Sequence, residues 1–548
     1  MTYREAYERW LLSDAVDGDV KRELDELDER EIEDRFYREL SFGTGGLRGV
    51  MAAGSNRMNI YTVRQATEGV ARALLDENAE NSTRGVAIAY DSRNNSEKFA
   101  KESAAVLSAH GIRVYLFDRL CPTPELSFTV RHLGCAAGIV ITASHNPKEY
   151  NGYKVYDEDG TQISPERAER ILGFIRSVDI FEDVSHVANG DIITILGEEI
   201  HTAYIESIKR ESLGIDIPDS LSVLYTPLHG SGNIPVRRIL SEIGVKNLAV
   251  VGEQEAPDGD FPTVDSPNPE NRSAFDIAIE RAKHEHFDLI LGTDPDSDRL
   301  GLVVPERDGS FTVLSGNETG ALLADLILRK TSERGMPRSP RIVKTIVTTE
   351  LVRKIASEYG VVTEDVLTGF KYIGDKIKEY ERSGKSFLFG LEESYGYLKG
   401  TYARDKDAVV AAMLAVELAA ECKAEGITLT ERLDSLYKRY GYHKERLLSY
   451  TLKGIEGTER IKALMKHFRA TDALPREVRR IDYSLGADGL PKSDVLKFIL
   501  EDGWVAIRPS GTEPKIKVYI AVEAECANAA YDRIDAIASW IDGVITKE

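Results

Sequence analysis

Cysteine is scarce in this 548-residue sequence, and its few copies are scattered along the chain. The four cysteines form no CxxC pair, so their spacing predicts neither a zinc site nor a framework of disulfides. Their positions are Cys121, Cys135, Cys422 and Cys526. We therefore expect the chain to work in a reducing compartment, the cytoplasm.

Long apolar runs are also missing. No window approaches the run of about 20 apolar residues that a membrane-spanning helix needs. Residues 1–10 are charged from the start and lack the apolar segment and cleavage site of a secretion signal. Hydrophobic residues make up 42% and charged residues 29%, as in soluble globular proteins. We expect a soluble protein that is not secreted and has no membrane partner.

Positively charged residues are also fewer than negatively charged ones. Lysine and arginine total 70 against 91 aspartates and glutamates, which leaves a formal net charge of -21. A surface this acidic repels the phosphate backbone of nucleic acids at long range, so we expect no nucleic-acid partner. Any anionic substrate must then be bound by local clusters of cationic side chains.

The order of apolar and polar segments predicts several domains, as the length does. The first 40 residues read as one or two amphipathic helices. From Gly85 onwards, short apolar runs alternate with helical stretches, which predicts three α/β units in series with mixed or parallel sheets. The pattern of the last hundred residues predicts a smaller α+β domain. The predicted segments are 1–40, 41–200, 201–312, 313–450 and 451–548.

Three aspartates stand at alternate positions directly after a predicted strand: Asp294, Asp296 and Asp298. Clustered carboxylates repel one another unless a cation compensates them, and oxygen ligands in a compact loop suit Mg²⁺. An EF-hand is excluded, because Arg299 and Pro305 occupy the positions where it needs glycine and glutamate. The remaining alternative is a solvated aspartate-rich turn.

A second predicted strand, at 138–141, leads into a loop that carries Ser144. The flanking residues do not form a GxSxG nucleophile elbow. Taken alone, this segment favours an ordinary hydrogen-bonding turn serine. A serine that takes part in phosphoryl transfer needs positioning, a metal and a nearby cation, which His145, Lys154 and the aspartate loop could supply. The combination favours Ser144 as a nucleophile.

A third segment concentrates hydrogen-bond donors after a strand near the end of the chain. It contains Arg508, Ser510, Gly511, Thr512 and Lys515. A guanidinium fork, hydroxyls and backbone N–H groups in one turn can surround a phosphate. A surface turn rich in proline and glycine is the alternative.

Weaker signals come from the third unit, at predicted strand ends or a few residues after them. These polar residues could bind a sugar, or could simply be solvated. They are Thr368, Gly369, Lys371, Glu392, Ser394 and Lys406.

Four motifs in this order resemble the α-D-phosphohexomutase superfamily of phosphoglucomutases and phosphomannomutases. They are Thr-Ala-Ser-His-Asn-Pro at 142–147, Asp-Pro-Asp-Ser-Asp-Arg at 294–299, Glu-Glu-Ser-Tyr-Gly at 392–396 and Arg-Pro-Ser-Gly-Thr-Glu-Pro at 508–514. The match runs from about residue 40 to the end, and the segment around Arg48 is most similar to the bacterial α-phosphoglucomutase branch related to phosphopentomutases. The resemblance implies an α/β protein of four domains around a central cleft, three of them similar mixed-sheet domains and the last a smaller α+β domain.

The resemblance also implies roles for the residues. Ser144 would be a phosphoserine, and one of its phosphate oxygens would complete a Mg²⁺ shell made by the three aspartates. Arg48 and Arg299 would neutralise the transferring phosphate, beside His145, and Lys154 would be a candidate acid or base. Glu392 and Ser394 would hold sugar hydroxyls, and the phosphate that is not reacting would be bound by Arg508, Ser510, Gly511 and Thr512. Thr368, Gly369, Lys371 and Lys406 remain further candidates for substrate binding.

The activity that the resemblance implies is interconversion of glucose 1-phosphate and glucose 6-phosphate through a phosphoserine and a bisphosphorylated intermediate. A sugar 1,6-bisphosphate would serve as activator, and the partner would be a small sugar phosphate. Phosphopentomutase and phosphomannomutase activities stay open, although Tyr395 stands where mannose-handling relatives tend to continue with Gly-His. A Mg²⁺-dependent sugar phosphatase is an alternative of another class, and a non-catalytic sensor of sugar phosphates is a third.

Overall fold

The computed structural model describes residues 1–43, 45–452, 454–470, 474, 476–510 and 515–546. The chain divides into two compact units. Unit 1 comprises Met1–Leu314, Ile377–Glu379 and Gly396–Glu421, and unit 2 comprises Ser315–Lys376, Tyr380–Tyr395 and Cys422–Glu548.

Unit 1 begins with three short helices, where the sequence predicted one or two. They are α1 (Tyr3–Leu12), α2 (Gly18–Asp25) and α3 (Glu29–Phe36). Thr2 and Asp28 each form a capping box, which starts a separate helix at each of these positions. Trp10 is buried, and its ring packs edge-on against Phe36 and Tyr61. These helices therefore contribute to the first hydrophobic core.

The first sheet of unit 1 is mixed, with strand order β1-β5-β4-β2-β3-β6. Its strands are β1 (Gly46–Val50), β2 (Val86–Tyr90), β3 (Val114–Phe117), β4 (Ala137–Ile141), β5 (Tyr150–Tyr156) and β6 (Ile193–Leu196). The accompanying helices are α4 (Ile60–Glu77), α5 (Asn81–Arg84), α6 (Ser96–Ala109), α7 (Thr123–Leu133), α8 (Pro165–Arg176) and α9 (Glu198–Lys209). Strands β2 and β4 are parallel, with Tyr90 opposite Ile141, so the loops that follow them leave the same edge of the sheet.

The second sheet of unit 1 is also mixed, with strand order β11-β10-β9-β7-β8. Its strands are β7 (Ser222–Thr226), β8 (Asn247–Val250), β9 (Leu289–Thr293), β10 (Leu300–Pro305) and β11 (Phe311–Leu314). Its helices are α10 (Asn233–Glu242), α11 (Gly252–Glu255) and α12 (Asp276–Ala282). The antiparallel pair β9 and β10 is joined by the loop that carries the three aspartates.

Unit 2 contains a group of parallel strands with β12 (Pro340–Thr345) between β13 (Val362–Val366) and β14 (Ser386–Glu392). The chain then adds β15 (Gly396–Lys399), which belongs to unit 1. The helices of this region are α13 (Gly316–Arg334), α14 (Leu351–Glu358), α15 (Phe370–Ser383), α16 (Ala408–Glu425) and α17 (Leu429–Tyr440).

An antiparallel sheet closes the chain, with strand order β16-β20-β19-β18-β17. Its strands are β16 (Tyr442–Thr451), β17 (Glu477–Asp482), β18 (Leu496–Leu500), β19 (Gly503–Pro509) and β20 (Lys515–Ala524), with helices α18 (Gly454–Ala470) and α19 (Ala527–Ile545). Phe468 and Ile534 from these helices share a core with Val505 and Ile520 of the sheet. The predicted fold class, serial α/β sheets followed by an α+β domain, is confirmed. The domain boundaries stay predictions. Within the described residues, no helix combines the length and apolar character needed to cross a bilayer.

Candidate functional site

The three predicted aspartates lie together in the β9–β10 loop of unit 1, directly at the end of a buried strand. Asp294, Asp296 and Asp298 are at most 1% exposed, and each offers one carboxylate oxygen within 4.8 Å of the others. Asp294 Oδ1 accepts hydrogen bonds from the backbone N–H groups of Asp298 and Arg299, both at 3.1 Å. The loop thus folds around the first of its own carboxylates.

Three buried carboxylates this close shift one another's pKa. Burial and repulsion from Asp296 and Asp298 raise the pKa of Asp294 well above its ordinary value. Burial and Asp296 likewise raise the pKa of Asp298. Burial works against the ionised form of Asp296 too, but Lys154 and Lys406 outweigh it and hold the pKa of Asp296 below its ordinary value. The triad therefore carries an electrostatic penalty that a bound cation would relieve.

Ser144 lies on the loop after β4, and its side chain reaches this triad. Its Oγ donates to Asp294 Oδ2 at 2.8 Å and lies 3.2 Å from Nδ1 of His145. Ser144 is buried and has a left-handed backbone with φ of 53°, held in part by a hydrogen bond of 2.8 Å from its N–H to Thr142 Oγ1. Burial, together with Arg299 and Arg48, lowers the pKa of His145 well below its ordinary value, so its imidazole is neutral at pH 7.

Four cationic side chains named by the sequence surround this group. Lys154 on β5 lies 3.1 Å from Asp296 Oδ2. Lys406 lies 2.6 Å from Asp298 Oδ2, beside the aspartates, and its contact with the substrate stays a prediction. Arg299 pairs with Glu270, and Arg48 on β1 donates to Asn146 Oδ1 at 3.4 Å. Unit 1 thus brings these four cations together with Ser144, His145 and the three aspartates.

Two residues of this group were missed by sequence reasoning. Thr123, the first residue of α7, donates to Asp296 twice, from its N–H to the backbone carbonyl and from its Oγ1 to Oδ2, both at 2.9 Å. Arg93 is buried behind the Ser144 loop and donates to the carbonyl of Ser144. Arg93 follows β2 in the segment Asp91-Ser92-Arg93, and the parallel neighbours β2 and β4 are the signal that could have identified it.

The first turn of α7, whose Thr123 binds Asp296, is anchored to α9 by the buried side chain of His201. His201 Nδ1 lies 2.7 Å from Glu125 Oε1, and Nε2 lies 3.1 Å from Asp118 Oδ1. Burial alone would lower the pKa of His201, but the hydrogen bonds to Glu125 and Asp118 outweigh it and raise the pKa. The hydrogen bonds of His201 therefore stabilise the folded protein fully below the pKa that histidine has in the unfolded chain. This stabilisation is lost as the pH rises through the higher pKa of His201 in the folded protein.

Replacing His201 by glutamine should therefore destabilise the protein in a pH-dependent way. We expect a loss of roughly 2 kcal/mol in unfolding free energy at about pH 6, as for lost hydrogen bonds to charged groups, and a smaller loss at about pH 9. Urea titrations at both pH values measure it, with the exposed His186→Gln as control. An equal loss at both pH values would show that His201 is neutral in the folded protein.

The predicted substrate-binding residues of unit 2 form a second group. Arg508 donates to Thr368 Oγ1, and the Gly369 N–H donates to Glu392 Oε1 at 2.8 Å. Glu392 is buried at the end of β14, and Gly369, with φ of 118°, precedes α15. The structure thus brings Thr368, Gly369, Glu392 and Arg508 together.

The remaining predicted residues of unit 2 lie on the adjoining loops. Ser394 follows β14 and is half-buried, and the ammonium of Lys371 lies 5.1 Å from the centre of the Tyr372 ring. The N–H of Ser510 donates to the Lys515 carbonyl at 2.8 Å, at the tip of the β19–β20 hairpin. Gly511 and Thr512 lie outside the described residues.

Comparison with protein-family models matches four consecutive parts of the chain. Residues 39–180, 202–309 and 315–440 match the α/β/α domains I, II and III of the phosphoglucomutase/phosphomannomutase family, and residues 456–536 match its C-terminal domain. Among curated proteins, the chain is 37% identical over 549 residues to a phosphoglucomutase of Staphylococcus aureus strain MRSA252, covering 97% of this chain and 98% of the relative.

Solved structures match over most of the chain as well. A phosphoglucomutase/phosphomannomutase family protein from Burkholderia thailandensis has a TM-score of 0.68 and 19% identity, covering 92% of this chain and 97% of that one. The open form of pp63/parafusin, a phosphoglucomutase from Paramecium, has a TM-score of 0.69 and 17% identity, covering 92% and 96%. At these identities the likeness shows the fold.

Proposed function

The chain belongs to the phosphoglucomutase/phosphomannomutase family and is a mutase, and from this premise we propose that it interconverts glucose 1-phosphate and glucose 6-phosphate with Ser144 as phosphoryl carrier. The observation that carries the proposal is the 2.8 Å hydrogen bond from Ser144 Oγ to Asp294 within a buried triad of carboxylates. This arrangement joins a hydroxyl that can carry the phosphoryl group to a site suited to a cation.

We infer that the cation is Mg²⁺, held by Asp294, Asp296 and Asp298. Asp296 Oδ1 and Asp298 Oδ1 are buried and accept no hydrogen bond from the described residues, which leaves both free to act as ligands. Carboxylate oxygens without nitrogen or sulfur ligands suit Mg²⁺. When bound, the ion would neutralise the carboxylates and polarise phosphoryl oxygens.

The protein's own residues perform the transfer. In the first step, the bond between Ser144 Oγ and phosphorus breaks, and a new bond forms between phosphorus and a sugar hydroxyl oxygen. The sugar hydroxyl loses its proton and Ser144 Oγ gains one, and Lys154, which lies beside Asp296, is the candidate acid or base for this exchange. Arg48 and Arg299 supply positive charge for the transferring phosphoryl group. After the bisphosphate turns around, its other phosphoryl group returns to Ser144, so the number of phosphoryl groups is unchanged.

The phosphate that does not react needs a site of its own, which we assign to Arg508 and the adjoining hairpin tip. The proposal is supported by the guanidinium of Arg508 beside Thr368 and by the buried carboxylate of Glu392, which suits sugar hydroxyls. Ser510 lies at the same tip, and the assignment extends to Gly511 and Thr512 by family resemblance. Binding at this remote site would help to position the reacting hydroxyl.

Replacing Arg508 by alanine should chiefly weaken substrate binding. The loss of charge-assisted hydrogen bonds to a phosphate should raise KM about 10- to 100-fold, with a smaller effect on kcat. Steady-state kinetics with glucose 1-phosphate measure both constants, and Arg479→Ala, an exposed arginine of the same domain, is the control. Unchanged kinetics in the Arg508 variant would refute the second phosphate site.

A side-by-side assay tests the substrate. Glucose, mannose and ribose 1-phosphates are supplied separately with Mg²⁺ and a trace of the matching bisphosphate, and isomer and free phosphate are both measured. We expect the highest turnover with glucose 1-phosphate. A preference for ribose 1-phosphate would identify a phosphopentomutase, and free phosphate without isomer would identify a phosphatase. The cytoplasmic location stays a prediction.

A further inference from the structure

Arg93 makes an unusual set of hydrogen bonds to the loop that carries Ser144. Its Nη1 donates to the carbonyls of Pro147 at 2.9 Å and Tyr150 at 3.1 Å. Its Nη2 donates to the carbonyls of Ser144 and Asn146. One side chain therefore donates to four backbone carbonyls, three in the loop after β4 and one at the first residue of β5.

The guanidinium of Arg93 is itself fixed from two other sides. Its Nε lies 3.5 Å from Asp91 Oδ2, and both side chains are fully buried. Its guanidinium carbon lies 5.0 Å from the centre of the Phe261 ring. Phe261 belongs to the part of unit 1 that is built around the second sheet. Asn94 adds a hydrogen bond of 3.1 Å to Asp260, next to that ring. Arg93 is thus held in place independently of the loop that it supports.

The loop needs such support because its backbone conformation is costly. Ser144 has φ of 53°, in the left-handed region that favours glycine, although it is not glycine. Residues in this region persist only when the surrounding structure imposes the conformation. Without Arg93, four carbonyls would lose a partner, and the loop would be free to adopt other conformations.

We propose that Arg93 is a positioning residue for the phosphoryl carrier. It fixes the backbone of residues 144–150, so that Ser144 Oγ points at Asp294 in every turnover. The inference rests on the proposed role of Ser144. Arg93 acts through the backbone of the loop and does not touch the substrate.

The proposal requires an arginine and not merely a positive charge. A guanidinium has five donors in a rigid plane and can serve several carbonyls at once, whereas an ammonium has three donors on one atom. Lysine at position 93 would keep a positive charge near Asp91 but could not span the four acceptors. Arg93→Lys therefore separates the role of the charge from that of the geometry.

The test measures transfer and binding separately in Arg93→Lys. We expect the single-turnover rate of phosphoryl transfer from phospho-Ser144 to glucose 1-phosphate to fall about 100-fold, as for misplacement of a reacting group by about 1 Å. The dissociation constant of glucose 1-phosphate, measured by calorimetry, should stay unchanged. Hydrogen exchange of a peptide spanning 142–150 should become faster.

Arg84→Lys is the matched control. Arg84 also donates to two backbone carbonyls, those of Gly134 at 3.2 Å and Cys135 at 3.1 Å, but these precede β4 while Ser144 follows it. We expect this variant to transfer the phosphoryl group at the wild-type rate. Equal rates in the two variants, or a loss of binding in Arg93→Lys as large as its loss of rate, would overturn the proposal.

Phe261→Leu covers the case in which Arg93→Lys does not fold. It removes the aromatic face beneath the guanidinium without changing charge, and should slow transfer to a smaller extent while leaving binding unchanged. A wild-type rate in this variant, with unchanged exchange at 142–150, would count against the proposal. If the wild-type protein shows no mutase turnover, the exchange measurement still tests whether Arg93 holds the loop, so failure of the proposed function is recognised separately.

Discussion

Replacing Ser144 by alanine should lower kcat for conversion of glucose 1-phosphate to glucose 6-phosphate by at least about a thousandfold, because the hydroxyl that carries the phosphoryl group is removed. The fold should be retained, since the hydrogen bond from residue 144 to Thr142 is made by the backbone N–H. Glucose 6-phosphate formation followed by a coupled assay measures the effect.

Ser103→Ala is the control for this variant. Ser103 is another fully buried serine of the first α/β layer, and its Oγ donates to the Phe99 carbonyl at 2.8 Å within α6. We expect it to keep wild-type turnover. Turnover in Ser144→Ala equal to that of Ser103→Ala would rule out Ser144 as the carrier.

Replacing Asp294 by asparagine should have opposite effects on activity and on the stability of the metal-free protein. We expect kcat to fall about 10³-fold, since metal stabilisation of phosphoryl transfer amounts to several kcal/mol. The melting temperature without Mg²⁺ should rise, because one of three mutually repelling buried carboxylates is removed. Mg²⁺ should raise the melting temperature of the wild-type protein much more than that of the variant.

Thermal melts with and without Mg²⁺, together with steady-state kinetics, measure both effects. Asp76→Asn, which neutralises an exposed aspartate paired with Arg170, is the control and should change neither activity nor the response to Mg²⁺. An Asp294 variant that is as active as wild type, or that responds equally to Mg²⁺, would contradict the metal site.

The sequence predicted those parts of the site that follow a strong local pattern. A buried strand followed by alternating aspartates placed Asp294, Asp296 and Asp298 at a strand end, and β9 ends at Thr293 as that prediction requires. The same reasoning placed Ser144 after β4. In both cases, the strand is buried and apolar, so the polar run that follows it marks the edge of the sheet.

Residues that act through distant contacts could not be predicted in this way. Thr123 opens a helix in the first α/β layer, and its contact with Asp296 joins positions 173 residues apart. The ion pair of Lys406 with Asp298 was not predicted, because no local pattern links the two positions. The support from Arg93 depends on the order of strands in the first sheet, which periodicity does not reveal.

The N-terminal region shows the same limit of local patterns in the fold. The alternation of charged and apolar residues predicted helices there, and α1, α2 and α3 confirm this. Their number depends on caps at single residues, and their packing depends on the aromatic contacts of Trp10 with residues outside the segment.

The most direct test of the central claim follows the phosphoryl group itself. Protein incubated with Mg²⁺ and glucose 1,6-bisphosphate labelled with ³²P is isolated, mapped by mass spectrometry, and then mixed with unlabelled glucose 1-phosphate. The account predicts one phosphoryl group on Ser144, and its transfer to sugar phosphate without release as inorganic phosphate. Label on any other residue, or label released to water, would contradict it.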